Sequence, residues 1–208
     1  MHCSIRCKTP YDLQVHIQRN HTAEGIRDKL ESERKLDQFF AKNDVPRNRD
    51  WQNYIGFATC KNILDQHKSA RIDFFLIAES ARLGCLVFVE NNEQQHKTHG
   101  ASYACELQRI FNCANALEQT DEYRGAKILF INFNPHTYRR NRKQYDPKLT
   151  DAHKILLQTI QNLQPQDIRE GVNLIYIHYD ETNGELDIFR DPENDFATIY
   201  RDCVIKHI

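Results

Sequence analysis

Four short apolar runs constrain the fold more than any other feature of the chain. They are RIDFFLI (residues 71–77), CLVFVE (85–90), KILFINF (127–133) and NLIYIHY (173–179). Each has the length of a β-strand, and KILFINF reads as a strand buried on both faces. Gly84 lies between the first two runs and predicts an antiparallel hairpin. Around these runs, apolar residues recur at helical spacing. Ile26, Leu30, Leu36, Phe39 and Phe40 do so in a charged helix over 23–43. Leu107, Ile110, Phe111, Ala114 and Leu117 do so over 103–117, and Ile155, Leu156, Ile160 and Leu163 over 148–163. ELDIFR (185–190) reads as an edge strand, and VPRNRD (45–50), with Pro46, as a linker or turn. Strands separated by helices give an α/β fold, a mixed central sheet flanked by helices.

Length and composition narrow the class. The 208 residues suffice for one sizeable core plus a small appendage. With 40% hydrophobic residues, 27% charged residues, 7 Gly and 6 Pro, the chain is neither low-complexity nor collagen-like. No apolar run approaches the roughly 18 residues of a membrane span. The opening MHCSIRCKTP lacks the apolar stretch of a signal peptide. A soluble intracellular protein, nuclear or cytoplasmic and with no membrane partner, is expected. The net charge of −1 does not itself point to nucleic acid, for which local basic clusters matter more. Seven cysteines, an odd number, read as thiols or metal ligands rather than a disulfide framework. Cys85 and Cys113 lie in apolar runs and read as core thiols. Cys60 and His67 are a weak candidate for a Cys/His protease pair, and nothing in the sequence orients them. Trp51 and Tyr54 are expected to pack the entrance to the core.

The first 22 residues carry a separate signal. Cys3, Cys7, His16 and His21 form C-x3-C-x8-H-x4-H, a thiolate and imidazole set suited to tetrahedral zinc. Leu13 precedes His16 by three residues. The motif resembles a C2H2 zinc finger with a central spacer of 8 residues where about 12 is usual. A knuckle followed by one helix fits that spacing better than a full hairpin. The plain alternative is a frayed terminus with incidental Cys and His. Because the cluster begins at residue 3, the chain is also expected to be part of a longer protein. The resulting division is 1–22 as a zinc-finger-like knuckle, 23–45 as a connecting helix and 46–208 as the main domain.

The acidic hairpin carries the chemistry. Asp73 lies early on one strand, Glu90 ends the next, and Asn92, Glu93, Gln95 and His96 follow. Carboxylates from two strand ends with a nearby imidazole are what a hydrolytic Mg²⁺ or Mn²⁺ site requires. Asp73, flanked by Ile72, Phe74 and Phe75, is costly there unless paired or solvated. Glu106 and Arg109 stand at i,i+3, for which the plain account is a surface salt bridge.

In this order the segments RIDFFLI, CLVFVENNEQQH, CELQR and KILFINFNP resemble the PD-(D/E)xK nuclease superfamily, most closely its branch of very-short-patch-repair endonucleases. The resemblance covers roughly residues 50–180. It implies a restriction-endonuclease-like sheet and a Mg²⁺-dependent endonuclease acting on DNA. Asp73 would be the first metal ligand and Glu90 the second-strand acid, with Gln95 and His96 as the Gln-His pair. Glu106 and Arg109 would fill the helix positions, and Phe133, Asn134 and Pro135 the turn after the third strand. Two departures stand out. Ile72 replaces the name-giving Pro, and Asn92 stands where relatives carry Asp. A neutral carbonyl there holds a metal less tightly, and Glu93 is the residue placed to compensate.

YRRNRKQY (138–145) follows the Asn-Pro turn and packs Arg139, Arg140, Arg142 and Lys143 between tyrosines. This is a candidate phosphate grip, or else a solvated loop. Arg47 and Arg49 would add to the same face. The expected function is a metal-dependent DNA endonuclease with Mg²⁺ at the catalytic site and structural Zn²⁺. The competitors are a disabled module of the same fold that binds DNA or a protein, and an RNA-directed nuclease.

Overall fold

The computed structural model describes residues 23–53, 70–92, 103–187 and 201–208. In chain order the elements are α1 (Ala23–Lys42), β1 (Asn48–Asn53), β2 (Ala70–Phe75), α2 (Ile77–Leu83), β3 (Leu86–Asn91), α3 (Tyr103–Glu118), β4 (Ile128–Phe133), β5 (Tyr138–Arg140), β6 (Lys143–Tyr145), α4 (Leu149–Asn162), β7 (Val172–Ile177), β8 (Glu181–Thr182), β9 (Glu185–Leu186) and β10 (Val204–His207). Six strands form a mixed sheet in the order β1-β2-β3-β4-β7-β10. β1, β2 and β3 are antiparallel neighbours, whereas β3, β4, β7 and β10 run parallel.

The apolar runs form the centre because their residues alternate between two covered faces. Val87, Val89, Leu129, Ile131, Phe133, Ile175 and Ile177 pack with Leu36 and Phe40 of α1 and Ala152, Leu156 and Ile160 of α4. Phe88, Ile128, Phe130, Leu174 and Tyr176 pack on the other face with Leu107, Ile110, Cys113, Ala114 and Leu117 of α3. All six residues of β4 are buried. The helical spacing over 103–117 and 148–163 thus marks true core faces. The thiols of Cys85 and Cys113 are buried, and burial pushes them up to about 11 and about 12. Both are core thiols rather than nucleophiles.

Three local expectations are corrected. The connection from β2 to β3 is not a tight Gly84 turn but the seven-residue helix α2. Gly84 ends that helix in the left-handed conformation (φ 65°), a common role for glycine after a helix. The antiparallel ladder continues outward, with the Leu76 N–H donating to the Val87 carbonyl, and Ser80 bridges Leu76 and Val87. The segment read as a linker, 45–50, runs into edge strand β1, with Val45 buried under Phe40. The basic run 138–145 is a β-hairpin. It belongs to a small four-stranded sheet, β6-β5-β8-β9, which also takes in the start of ELDIFR as the two-residue β9.

α2 also secures α4. The guanidinium of Arg82 donates to the carbonyls of Ile160 (2.8 Å) and Leu163 (2.6 Å) at the C-terminal end of α4.

His153 of α4 packs between Phe39 (5.1 Å) and Phe133 (5.8 Å), and burial pushes its imidazole down to about 4. The unfolded chain takes up the proton near pH 6.5, and the folded one only near pH 4. Stability is therefore full above about pH 6.5 and falls as pH drops towards 4. Between pH 7 and pH 5 the loss from this residue is about 2 kcal/mol. Urea unfolding at both pH values should show it, and His153→Leu should reduce the pH dependence by that amount.

Candidate functional site

The parallel strands β3, β4 and β7 end together at Asn91, Phe133 and Ile177, and their polar residues gather at that end. In open sheets with parallel strands, crevices at the carboxyl ends are the usual ligand sites. One row across the sheet is Glu90, Asn132 and Tyr176, in register and almost fully buried on the face that α3 covers. Glu90 Oε2 stands 2.9 Å from the Arg109 guanidinium, and its side chain is 5% exposed. An almost fully desolvated carboxylate requires such a partner. Arg109 thus makes a tertiary pair with Glu90 across the packing of α3 on the sheet. The backbone of Glu106 lies on α3, and its side chain lies outside the described residues.

Asp73 comes to the same end from the antiparallel side. Phe74 pairs with Val89, and one step further Asp73 Oδ2 accepts the Asn91 N–H at 2.9 Å. The side chain thus replaces a rung of the ladder, and the two acidic residues lie on facing stretches of β2 and β3. This explains a half-buried Asp inside an apolar run. Asn91 turns to the opposite face, where its amide donates to Ser32 Oγ of α1 at 2.9 Å.

Asn92 is 1% exposed and held by both ends. Its backbone N–H donates to the Phe133 carbonyl (2.8 Å), and its amide donates to Asn132 Oδ1 (3.2 Å) and the Tyr179 hydroxyl (2.7 Å). Its amide NH2 thus braces β3 to β4 and to the chain after β7. The turn at Asn134-Pro135 is also built from inside. Asn134 donates to the His178 carbonyl (2.8 Å), and its Oδ1 accepts the His136 N–H (3.1 Å).

The hairpin β5–β6 stands at this same end. Asp180 Oδ1 accepts the Arg139 N–H at 2.7 Å. Arg140 Nε lies 2.6 Å from buried Glu181, whose other oxygen lies 2.6 Å from His207 Nδ1. Arg139, Arg142 and Lys143 are exposed. Of the four cations expected to grip phosphate, Arg140 therefore has its charge offset internally.

Glu93, Gln95, His96, Cys3, Cys7, His16, His21, Tyr54, Cys60 and His67 lie outside the described residues, as do the side chains of Arg49 and Trp51. Arg47 binds inward, to Asp37 (2.7 Å) and its carbonyl (2.6 Å), rather than adding to the basic face. Among the described residues, no group of three or more His, Cys, Asp or Glu side chains converges to hold a metal ion. A carboxylate inside β2 facing one at the end of β3 nevertheless suits Mg²⁺, which takes one or two protein carboxylates and keeps several waters.

Sequence reasoning did not single out Asn132, Tyr179 or Ser32. The signal available for the first two was a polar group within an otherwise apolar strand run. Ser32 carried no such signal.

Comparison with protein-family models, with curated proteins and with solved structures gives no match to this chain.

Replacing Arg109 by Ala removes the guanidinium from buried Glu90. The expected loss of stability is about 1–3 kcal/mol, below the value for a fully buried pair because Arg109 is one-third exposed. Adding Glu90→Gln should recover part of it. Urea unfolding of the two single variants and the double variant gives the coupling directly.

Proposed function

We propose that the chain is a metal-dependent DNA endonuclease that hydrolyses phosphodiester bonds at the carboxyl ends of β3 and β4. The observation that carries this is the meeting of Asp73 with the Glu90–Asn91 segment, beside an ion pair that fixes Glu90. An acid is costly in this setting, and holding a cation against a phosphate is a reason for it to be there. The element order also supports the resemblance. An Asp-Phe strand, a strand ending in an acid, a helix bearing Arg and a strand leading to an Asn-Pro turn follow one another as β2, β3, α3 and β4.

Asp73 and Glu90 would hold Mg²⁺ or Mn²⁺, with Glu93 or the Asn92 carbonyl as a further donor. When bound, such a cation neutralises phosphate charge and makes water a better nucleophile. Arg109 pairs with Glu90 and holds it in place. His96 moves the proton between water and the leaving oxygen, with Gln95 orienting it. Glu106 supports the helix side of the site. Arg139, Arg142 and Lys143 contact phosphates, with Arg140 anchoring their hairpin through Glu181. Cys3, Cys7, His16 and His21 would hold a structural Zn²⁺.

One observation favours a second reading, a non-cutting module that binds DNA or a protein. Asn92 is locked among Asn132, Tyr179 and Phe133, where an acidic ligand would be expected.

Nicking of supercoiled plasmid with Mg²⁺, Mn²⁺ or chelator separates the two. Metal-dependent nicking is expected for the wild type. Asp73→Ala should lower it by more than about 100-fold, since losing even an outer partner of a metal ligand costs about 10–100-fold. DNA binding without cutting would favour the second reading.

A further inference from the structure

The hairpin β5–β6 holds a column of aromatic rings that the nicking chemistry leaves unused. Tyr138 stacks on His178 with ring centres 4.7 Å apart and planes 4° apart. Tyr145 stacks on Tyr138 from the paired strand, at 5.3 Å and 16°. His178 closes the inner end, almost fully buried, and burial keeps it neutral near pH 7. Tyr145 forms the outer end and is 41% exposed. Cross-strand aromatic packing accounts for the contact between the two tyrosines. It does not account for the exposure of the outer ring.

The turn beside this ring is also unusual. Arg140 pairs with Lys143, so the loop is the two residues Asn141 and Arg142, with φ of 49° and 66°. Such a loop favours glycine at its second position, because a side chain is strained there. This hairpin keeps an arginine. Residues 138–145 contain four cations and no acid, in a chain of net charge −1. Glu181 offsets only Arg140.

We propose that the outer face of Tyr145 is a stacking platform for an unpaired DNA base, with Arg142 and Lys143 on the flanking phosphates. A paired base within a duplex has both faces covered by its neighbours, whereas an unpaired one offers a free face. Aromatic side chains beside a cationic track are how proteins hold single strands. The platform is joined to the candidate site. His178 under the column is followed by Tyr179, whose hydroxyl accepts the Asn92 amide. A base held on Tyr145 therefore lies at the same end of the sheet as Asp73 and Glu90. The inference rests on DNA being the substrate and specifies the substrate as DNA with an unpaired base.

The test is fluorescence anisotropy of the full chain, without added divalent metal, on a labelled single strand, its blunt duplex and an RNA of the same sequence. Tyr145→Ala should weaken single-strand DNA binding about tenfold and duplex binding less than about twofold. Tyr145→Trp should retain binding, whereas Tyr145→Leu, which keeps apolar cover over Tyr138, should lose it as Ala does. Circular dichroism of each variant checks that the fold is intact. Unchanged single-strand binding in Tyr145→Ala, retention in Tyr145→Leu, or tighter binding of the RNA would overturn the proposal. A wild type that stacks DNA through Tyr145 but never nicks plasmid would remove the endonuclease reading alone. Asp73-dependent nicking with normal binding by Tyr145→Ala would remove this inference alone.

Discussion

A sheet whose central strands are covered on both faces has little room for polar side chains except at its ends. β4 shows the constraint most clearly. Ile128, Leu129, Phe130 and Ile131 are enclosed by α1 and α4 on one side and α3 on the other. The first polar side chain along the strand, Asn132, is in register with Glu90 and Tyr176. Two groups in that row have internal partners, the Glu90 carboxylate and the Asn132 side-chain oxygen, and these set the geometry around them. Arg109 comes from α3 to meet Glu90, and the Asn92 amide spans Asn132 and Tyr179. The place of the candidate site and the rigidity of its walls follow from the same burial.

The small sheet β6-β5-β8-β9 extends that end. Glu181 ties it to the main sheet by facing both Arg140 of the hairpin and His207 at the end of β10. The His178 N–H donates to the Ile208 carbonyl at 2.7 Å, and its ring supports Tyr138. The cationic hairpin is thus held at two points, Arg140 on Glu181 and Tyr138 on His178, with its tip and Tyr145 left exposed. A rigid base with an exposed cationic edge suits a polyanionic partner.

Much of the frame was legible in the sequence, because apolar periodicity records burial directly. The runs ending at Glu90, Phe133 and Tyr179 mark β3, β4 and β7, and the helical spacing over 103–117 and 148–163 marks α3 and α4. What escaped was local. IAESARL is short, so Gly84 alone suggested a turn, although Glu79, Arg82 and Gly84 together form a helix start and stop signal. β1 is polar apart from Trp51 and carries no strand pattern. Asp73 and Glu90 stood out as acids at apolar strand ends. The partner of Glu90 was hidden, because a side chain 19 positions along the chain reaches it only through the packing of α3. Asn92 was read as a weakened ligand, and its bracing bonds to Asn132 and Tyr179 appear only when three strand ends meet.

The proposed function depends on Asp73 and Glu90 binding one divalent cation together at the carboxyl end of the parallel strands. Mn²⁺ titration of the full chain, followed by water-proton relaxation, tests this without depending on turnover. One site is expected in the wild type and is lost in both Asp73→Ala and Glu90→Gln, with the fold retained. Equal Mn²⁺ binding by the wild type and both variants, or none by the wild type even with DNA bound, would contradict it.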